Sequence, residues 1–264
     1  MMKRSRILPL ILMLTAAILL FAACGTTKEA AAPAKDKKPV FTFGMSGLYK
    51  PFNYREGGKL AGFDVEIGEA LAERMGMTPN PVTNPWETII QGLQAKKYDA
   101  ILGSMGITEE RKKSVSFSTP YYRSGAQIFV AKDNTGIQTL ESLKGKKVGV
   151  VKGTTFRALV QPYAGQIVDY DSDITALMDI PTGRLDAVVT DQMVGLRMMK
   201  EGNDKIKDAG QPLSTDEIGI AVRKEDKELL EKINKALDEI IKDGTYDTIS
   251  QKWFGRSILG TKQP

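Results

Sequence analysis

The 264-residue sequence has no histidine and only one cysteine. Lack of histidine removes the commonest general base near neutral pH, the Ser-His-Asp and Cys-His arrangements, and most zinc sites. A single cysteine, Cys24, allows no disulfide within the chain and no cysteine-based metal site. No dense stripe of Lys and Arg interleaved with aromatics is present, which speaks against a nucleic-acid partner. What remains is a composition ordinary for a globular protein, 42% hydrophobic and 26% charged. The length suits one large domain or two small ones. Neither a metal nor a cofactor is expected.

The N-terminus departs from that composition. Lys3, Arg4 and Arg6 precede an apolar run from Ile7 to Ala23, and small residues with Cys24 follow. A basic n-region, an apolar h-region and a small-residue cleavage site read as a secretory signal over 1–23. The competing reading, a retained membrane helix, is near the lower length limit for spanning. Residues 21–24 resemble the bacterial lipobox, with Phe21 in place of the usual aliphatic residue, and the resemblance implies lipidation of Cys24. Removing 1–23 takes three basic residues and no acid, leaving 34 basic against 32 acidic residues and a formal charge of +2. Residues 24–38, rich in Ala, Lys, Thr and Pro, read as a tether.

From Pro39 the pattern alternates. Val40–Gly44 predicts a strand, a loop runs through Ser46 to Phe52, and Arg55–Lys59 predicts a hairpin-like turn. Phe63, Ile67, Ala70, Leu71 and Met75 fall near helical spacing. A short strand near 81–83, a helix entered at Pro85 and a strand over 98–103 follow. The order β-α-β-α-β predicts a parallel α/β sheet. After Asn134 the pattern restarts: strands over 147–151, 167–170 and 186–190 alternate with helices over 155–164, 174–180 and 192–200. Residues 218–222 are strand-like. An apolar face from Leu229 to Ile241 marks a long helix, and a last helix runs over 246–254 with Gly255 behind it. This predicts two α/β lobes between which the chain passes twice, with a ligand cleft between them. The expected bounds are 39–121 and 222–264 for the first lobe, 126–217 for the second, and 122–125 with 218–221 for the connections.

Three stretches carry candidate chemistry. Gly103–Arg111 combines a strand end, a small-residue turn with free N–H groups, Thr108 as a helix cap and an arginine able to grip a carboxylate. Gly153-Thr154-Thr155 stands where a strand turns into a helix, and its free N–H groups can hold the same kind of group. Asp191, at a strand's carboxyl end, can take an ammonium. Each also has a purely structural reading: a solvated helix start, a threonine cap, an aspartate cap. Arg111 from one lobe with Thr155 N–H and Asp191 from the other would suit a ligand bearing both a carboxylate and an ammonium, the head group of an α-amino acid. Tyr49 and Trp86 stand where aromatics can wall a side chain, with core packing as the alternative.

Several motifs together resemble the family of bacterial solute-binding proteins for polar amino acids that feed ABC importers. They are Tyr49-Lys50-Pro51-Phe52, Gly62-Phe63-Asp64-Val65-Glu66-Ile67, Ile107-Thr108-Glu109-Glu110-Arg111-Lys112-Lys113, Phe117-Ser118-Thr119-Pro120-Tyr121-Tyr122, Gly183-Arg184-Leu185-Asp186-Ala187 and Lys252-Trp253-Phe254-Gly255. The match runs in order from about residue 39 to 256. It implies a periplasmic-binding-protein-like fold of type II. It also implies a lipid-anchored receptor that acts as a monomer on the extracytoplasmic face of the cell membrane, working with a membrane permease. Carried over by position, Arg111 with the N–H of Thr155 would clamp the α-carboxylate, and Asp191 with the Ser104 carbonyl would take the α-ammonium. Tyr49 and Trp86 would sandwich the side chain, and Val151, Lys152 and Phe156 would line the far side. Met105 and Thr154 complete the expected ligand contacts. Gly106 stands where relatives often carry a hydroxyl. Ser46 stands where relatives for basic amino acids carry an aspartate, so a polar uncharged amino acid or cystine is expected over a basic one. The alternatives are a dehydratase of the same fold acting on a small cyclic carboxylate, which would need a general acid in the cleft, and a sensory amino-acid-binding module.

Overall fold

The computed structural model describes residues 38–260. The expected signal segment 1–23, Cys24 and all of the tether except Lys38 lie outside the described residues. The chain opens with β1 (Val40–Met45), β2 (Leu48–Tyr49), β3 (Asn53–Glu56), β4 (Lys59–Ala61), α1 (Phe63–Arg74), β5 (Thr78–Thr83), α2 (Ile89–Gln94), β6 (Ala100–Gly106), α3 (Glu109–Lys112), β7 (Ser116–Phe117) and β8 (Tyr122–Ser124). A second block holds β9 (Ala126–Ala131), β10 (Lys147–Val151), α4 (Thr155–Val160), β11 (Gln166–Tyr170), α5 (Asp173–Asp179), β12 (Ala187–Asp191), α6 (Gln192–Lys200) and β13 (Ile206–Ala209). The chain returns through β14 (Asp216–Val222) and ends with α7 (Lys227–Lys242) and α8 (Thr245–Phe254). The result is two α/β lobes.

The first lobe's sheet has the order β5-β1-β6-β14-β7, with β8 also paired to β14. Strands β5, β1 and β6 are parallel, as the β-α-β-α-β order requires, and β14 runs antiparallel to β6. Pro79 and Pro81 cannot donate to a ladder on both sides, and β5 accordingly lies at the edge. Both faces of β6 are covered. Ala100 and Leu102 pack with Phe63, Ile67 and Leu71 of α1, while Ile101 and Met105 pack with Ile89 and Leu93 of α2. The apolar face of α7, Ile233, Ala236, Leu237 and Ile240, is buried in the α1-side cluster. A small separate sheet, β2-β3-β4, carries the expected hairpin over Arg55–Lys59.

The second lobe's sheet has the order β11-β10-β12-β9-β13. Its central strand β12 is buried at every residue. The strand β13 was not visible in the sequence pattern, since only Ile206 and Ala209 among its four residues are apolar and buried. The chain leaves the first sheet at Ser124, enters the second at Ala126, and returns between Ala209 and Asp216. The two passages touch: Leu213 N donates to Ala126 O at 2.7 Å, and Ala126 N to Ser214 Oγ at 3.1 Å. Residues 218–221, expected as a connection, are strand residues within the first sheet.

Candidate functional site

The C-terminal ends of β1 and β6 in one lobe and of β10 and β12 in the other border a cavity. Ser46, Tyr49, Trp86, Ser104, Gly106 and Arg111 line it from the first lobe, with Val151, Thr154, Thr155, Phe156, Asp173 and Asp191 from the second. Asp216 and Ile218 of the returning strand line it too. Two expected residues are elsewhere. Met105 is 1% exposed and packs with Ile89, Leu93, Ile101 and Val115, because the twofold alternation of β6 sends its side chain toward α2 and not into the cavity. Lys152 borders a neighbouring groove and pairs with Asp171 at 3.2 Å.

Gly103–Gly106 is a strand end, not the expected turn, because β14 pairs with it: Met105 lies opposite Gly219 and Gly106 opposite Ile218. The register breaks just beyond, and Ser104 sits at φ 62°. For a non-glycine residue this left-handed conformation costs on the order of 1–3 kcal/mol, so neighbouring contacts must hold it. They do: Ser104 Oγ donates to Asp64 Oδ2 at 2.9 Å and Ser104 N to the Tyr121 hydroxyl at 3.1 Å.

Asp64 is fully buried and accepts from Asn53 Nδ2 (2.7 Å), Ser104 Oγ and Tyr121 Oη (2.6 Å). Burial pushes its carboxyl up to about 6 against the lowering effect of these three donors. Asn53 Oδ1 in turn accepts from Ser46 Oγ at 3.0 Å and Gly47 N at 2.9 Å. The acid that sequence spacing placed on a helix among apolar residues therefore anchors both the Ser46 loop and Ser104.

Arg111 leaves the short helix α3, whose cap Thr108 accepts Arg111 N at 3.1 Å. Its guanidinium donates to Gly106 O at 2.9 Å and, across the cleft, to Gly153 O at 3.3 Å. It also lies over the Trp86 ring, 5.6 Å from the centroid. Trp86 Nε1 donates to the same Gly153 oxygen at 3.3 Å. Among the described residues no carboxylate comes within ion-pair distance of Arg111. Burial lowers its pKa, and Asp216 opposes that at longer range. A backbone carbonyl from Gly106 is what Arg111 gains at a position without a side chain.

Asp191 is 3% exposed. Its Oδ1 accepts from Ser124 Oγ and from Met193 N, both at 2.7 Å, so it caps α6 and faces the cavity at once. Its Oδ2 receives no hydrogen bond from the described residues. Burial pushes the carboxyl up to about 7; the two donors lower it, and Asp173 and Asp216 raise it further. Asp173, 4% exposed at the start of α5, is pushed up to about 6 by burial, with Thr190 Oγ1 donating to one oxygen. Tyr49 stacks on Phe52 at 5.3 Å, and its phenol is raised by burial and then by Asp191 and Asp173. Thr154 Oγ1 donates to Val151 O at 2.7 Å, and Thr155 is the first residue of α4.

Asp171, Asp173 and Asp216 were missed from the sequence. Asp173 precedes by one residue the helix expected from Ile174, where an acid at a first helical position was the available signal. Asp216 begins a strand and carried none. Among the described residues no group of three or more His, Cys, Asp or Glu is placed to hold a metal ion.

The chain is similar to known proteins over nearly all of this region. The L-cystine-binding protein TcyJ of Escherichia coli (strain K12) is 39% identical over 219 residues, covering 81% of this chain and 82% of that protein. A solved structure of an ancestral arginine-binding protein bound to arginine is 43% identical, superposes with a TM-score of 0.79, and covers 83% of this chain and 100% of its own. An ancestral amino acid-binding protein described as a precursor of cyclohexadienyl dehydratase is 36% identical with a TM-score of 0.76, over 81% of this chain and 95% of its own. The profile of the bacterial extracellular solute-binding proteins, family 3, matches residues 41–256. With that match spanning both lobes and the cleft between them, the chain belongs to the bacterial extracellular solute-binding proteins of family 3.

Proposed function

We propose that this protein captures an α-amino acid in the interlobe cavity and presents it to an ABC importer in the membrane. The observation that carries the reading is a pair of unsatisfied opposite charges on the two lobes. Among the described residues Arg111 has only carbonyl hydrogen-bond partners, and Asp191 is buried with one oxygen free. A carboxylate on Arg111, assisted by Thr155 N–H, and an ammonium on Asp191, with the Ser104 carbonyl beside it, would satisfy both. Each charged hydrogen bond contributes about 1.5–3 kcal/mol, and micromolar affinity needs about 8 kcal/mol in total, so two anchors with aromatic walls from Tyr49 and Trp86 suffice. Gly153 O, which both Arg111 and Trp86 reach across the cleft, ties ligand capture to lobe closure. The passages at 124–126 and 213–216 are the hinge in this reading.

The reading includes a signal segment over 1–23, lipid attachment at Cys24 and action as a monomer on the extracytoplasmic face of the cell membrane. Acylation of Cys24, read by mass spectrometry on membrane-extracted protein, checks the anchor; an unmodified N-terminal segment refutes it. Catalysis is not part of this function. The dehydratase alternative draws support from the carboxyls of Asp191 and Asp173, which burial raises toward the range where a general acid works. Thermal shift against the common amino acids and cystine, paired with turnover assays on cyclic carboxylates, separates the two. At a ligand concentration 100 times Kd, binding adds about 2.7 kcal/mol to stability. Arg111→Ala abolishes the shift while the unliganded melting transition persists. Turnover without any amino-acid shift overturns the receptor reading.

A further inference from the structure

Asp64, Asp191 and Asp173 are equally hidden from solvent but unequally satisfied. Asp64 takes hydrogen bonds from three residues, Asp191 from two and Asp173 from one, Thr190. Asp64 is a completed structural network, and in such a network further donors have no place. Asp173 lines the cavity at 4% exposure with its second oxygen unmet by any other described residue. A buried carboxylate in that condition is costly to a folded protein unless a donor arrives from outside it.

The charge lining the cavity points the same way. Its ionisable residues, tyrosine aside, are Arg111, Asp171, Asp173, Asp191 and Asp216. Asp171 is paired with Lys152, which leaves three carboxylates facing one guanidinium. A neutral α-amino acid adds one ammonium and one carboxylate and leaves that imbalance as it was. A ligand with one further cation reduces it. Cystine brings a second carboxylate along with its second ammonium, and among the described residues no second unpaired cation lines the cavity to receive it. Tyr49, Trp86 and Phe156 supply the apolar wall that an aliphatic stem needs between two charged ends.

We propose that the ligand is a basic amino acid, whose side-chain cation is received by Asp173. The proposal rests on the head-group reading of Arg111 and Asp191 and goes beyond it. It reverses the preference drawn from Ser46. That serine donates to Asn53 and is tied into the Asp64 network of the first lobe, whereas the acid for the side chain comes from the second lobe.

The test is calorimetric titration of the protein, stripped of ligand by unfolding and refolding, with L-arginine, L-lysine, L-citrulline, L-glutamine and L-cystine. Citrulline keeps the shape of arginine and replaces its guanidinium with a neutral urea. Arginine or lysine should bind tightest, with arginine about 10- to 100-fold tighter than citrulline, the range of one charged hydrogen-bonded contact. Asp173→Asn, which keeps an acceptor for Thr190, should bring the arginine-to-citrulline ratio close to one, with circular dichroism verifying the fold. Citrulline, glutamine or cystine binding as tightly as arginine overturns the proposal and leaves the head-group reading standing. An unchanged ratio in Asp173→Asn does the same. Binding of no amino acid at all overturns both.

Discussion

Replacing Asp191 by Asn tests whether the cavity keeps a carboxylate at a cost to the unliganded fold. The change is nearly isosteric, and the amide oxygen can still accept from Ser124 Oγ and Met193 N. Burial holds the Asp191 carboxyl at about 7 against an ordinary 3.8. Below pH 4 both folded and unfolded states are protonated, and the group contributes nothing. Between pH 4 and 7 the unfolded chain ionises while the folded one retains its proton, so the folded state binds more protons and stability falls as pH rises. Above pH 7 the full cost is present. The rise from 3.8 to about 7 corresponds to about 4 kcal/mol, which bounds the effect from above. The unliganded Asp191→Asn protein should therefore match wild type near pH 4 and exceed it by up to about 4 kcal/mol at pH 8. Asp64 and Asp173, both pushed up to about 6, remain in the variant, so its own stability still declines over pH 4–6. The informative quantity is thus the difference between the two proteins. Urea unfolding of ligand-stripped protein at pH 4.5, 6 and 8 measures it. A difference that is constant with pH, or a variant less stable than wild type at pH 8, refutes the reasoning. The same variant should lose amino-acid binding, which would show what the stability cost is held for.

Asp64→Ala leaves Asn53, Ser104 and Tyr121 without their acceptor; at about 1–3 kcal/mol for each buried unmet donor, denaturant unfolding should report a loss of at least about 3 kcal/mol. Gly125→Ala puts a methyl group against the carbonyl oxygen of Ser214 where the two interlobe passages touch, and should cost about 1–3 kcal/mol by the same measurement. Gly136→Ala, at a position with open space and no left-handed backbone, is the control and should stay within about 0.5 kcal/mol of wild type.

What could be read from the sequence was whatever depends on near neighbours. The strand Lys147–Val151 and the helix Gln192–Lys200 begin and end where apolar patterning put them. Thr108 caps its helix, and Gly255 adopts the left-handed conformation at φ 70° that ends α8. The two lobes followed from the repeated alternation of elements. What escaped was set by partners far along the chain. Gly103–Gly106 looks like a turn because it is rich in small residues, and becomes a strand only because β14, more than a hundred residues later, pairs with it. Met105 lies inside a stretch that reads as a turn, where alternation gives no facing; once the stretch is a strand, its facing follows at once.

The acids show the limit most clearly. Asp64, Asp173 and Asp191 each stand at or next to a helix start, where an acid needs no explanation beyond the helix dipole. Their roles differ because of how many donors the fold delivers to each. Asp64 receives Asn53, Ser104 and Tyr121, which lie 11, 40 and 57 residues away. Asp191 receives Ser124 from 67 residues away together with its own helix's Met193 N. Asp173 receives Thr190 from 17 residues away. A carboxylate's remaining capacity for donors is a tertiary quantity with no local signature. The cleft's place between the lobes was therefore readable from motif and period, while the number of donors each of its acids receives was not.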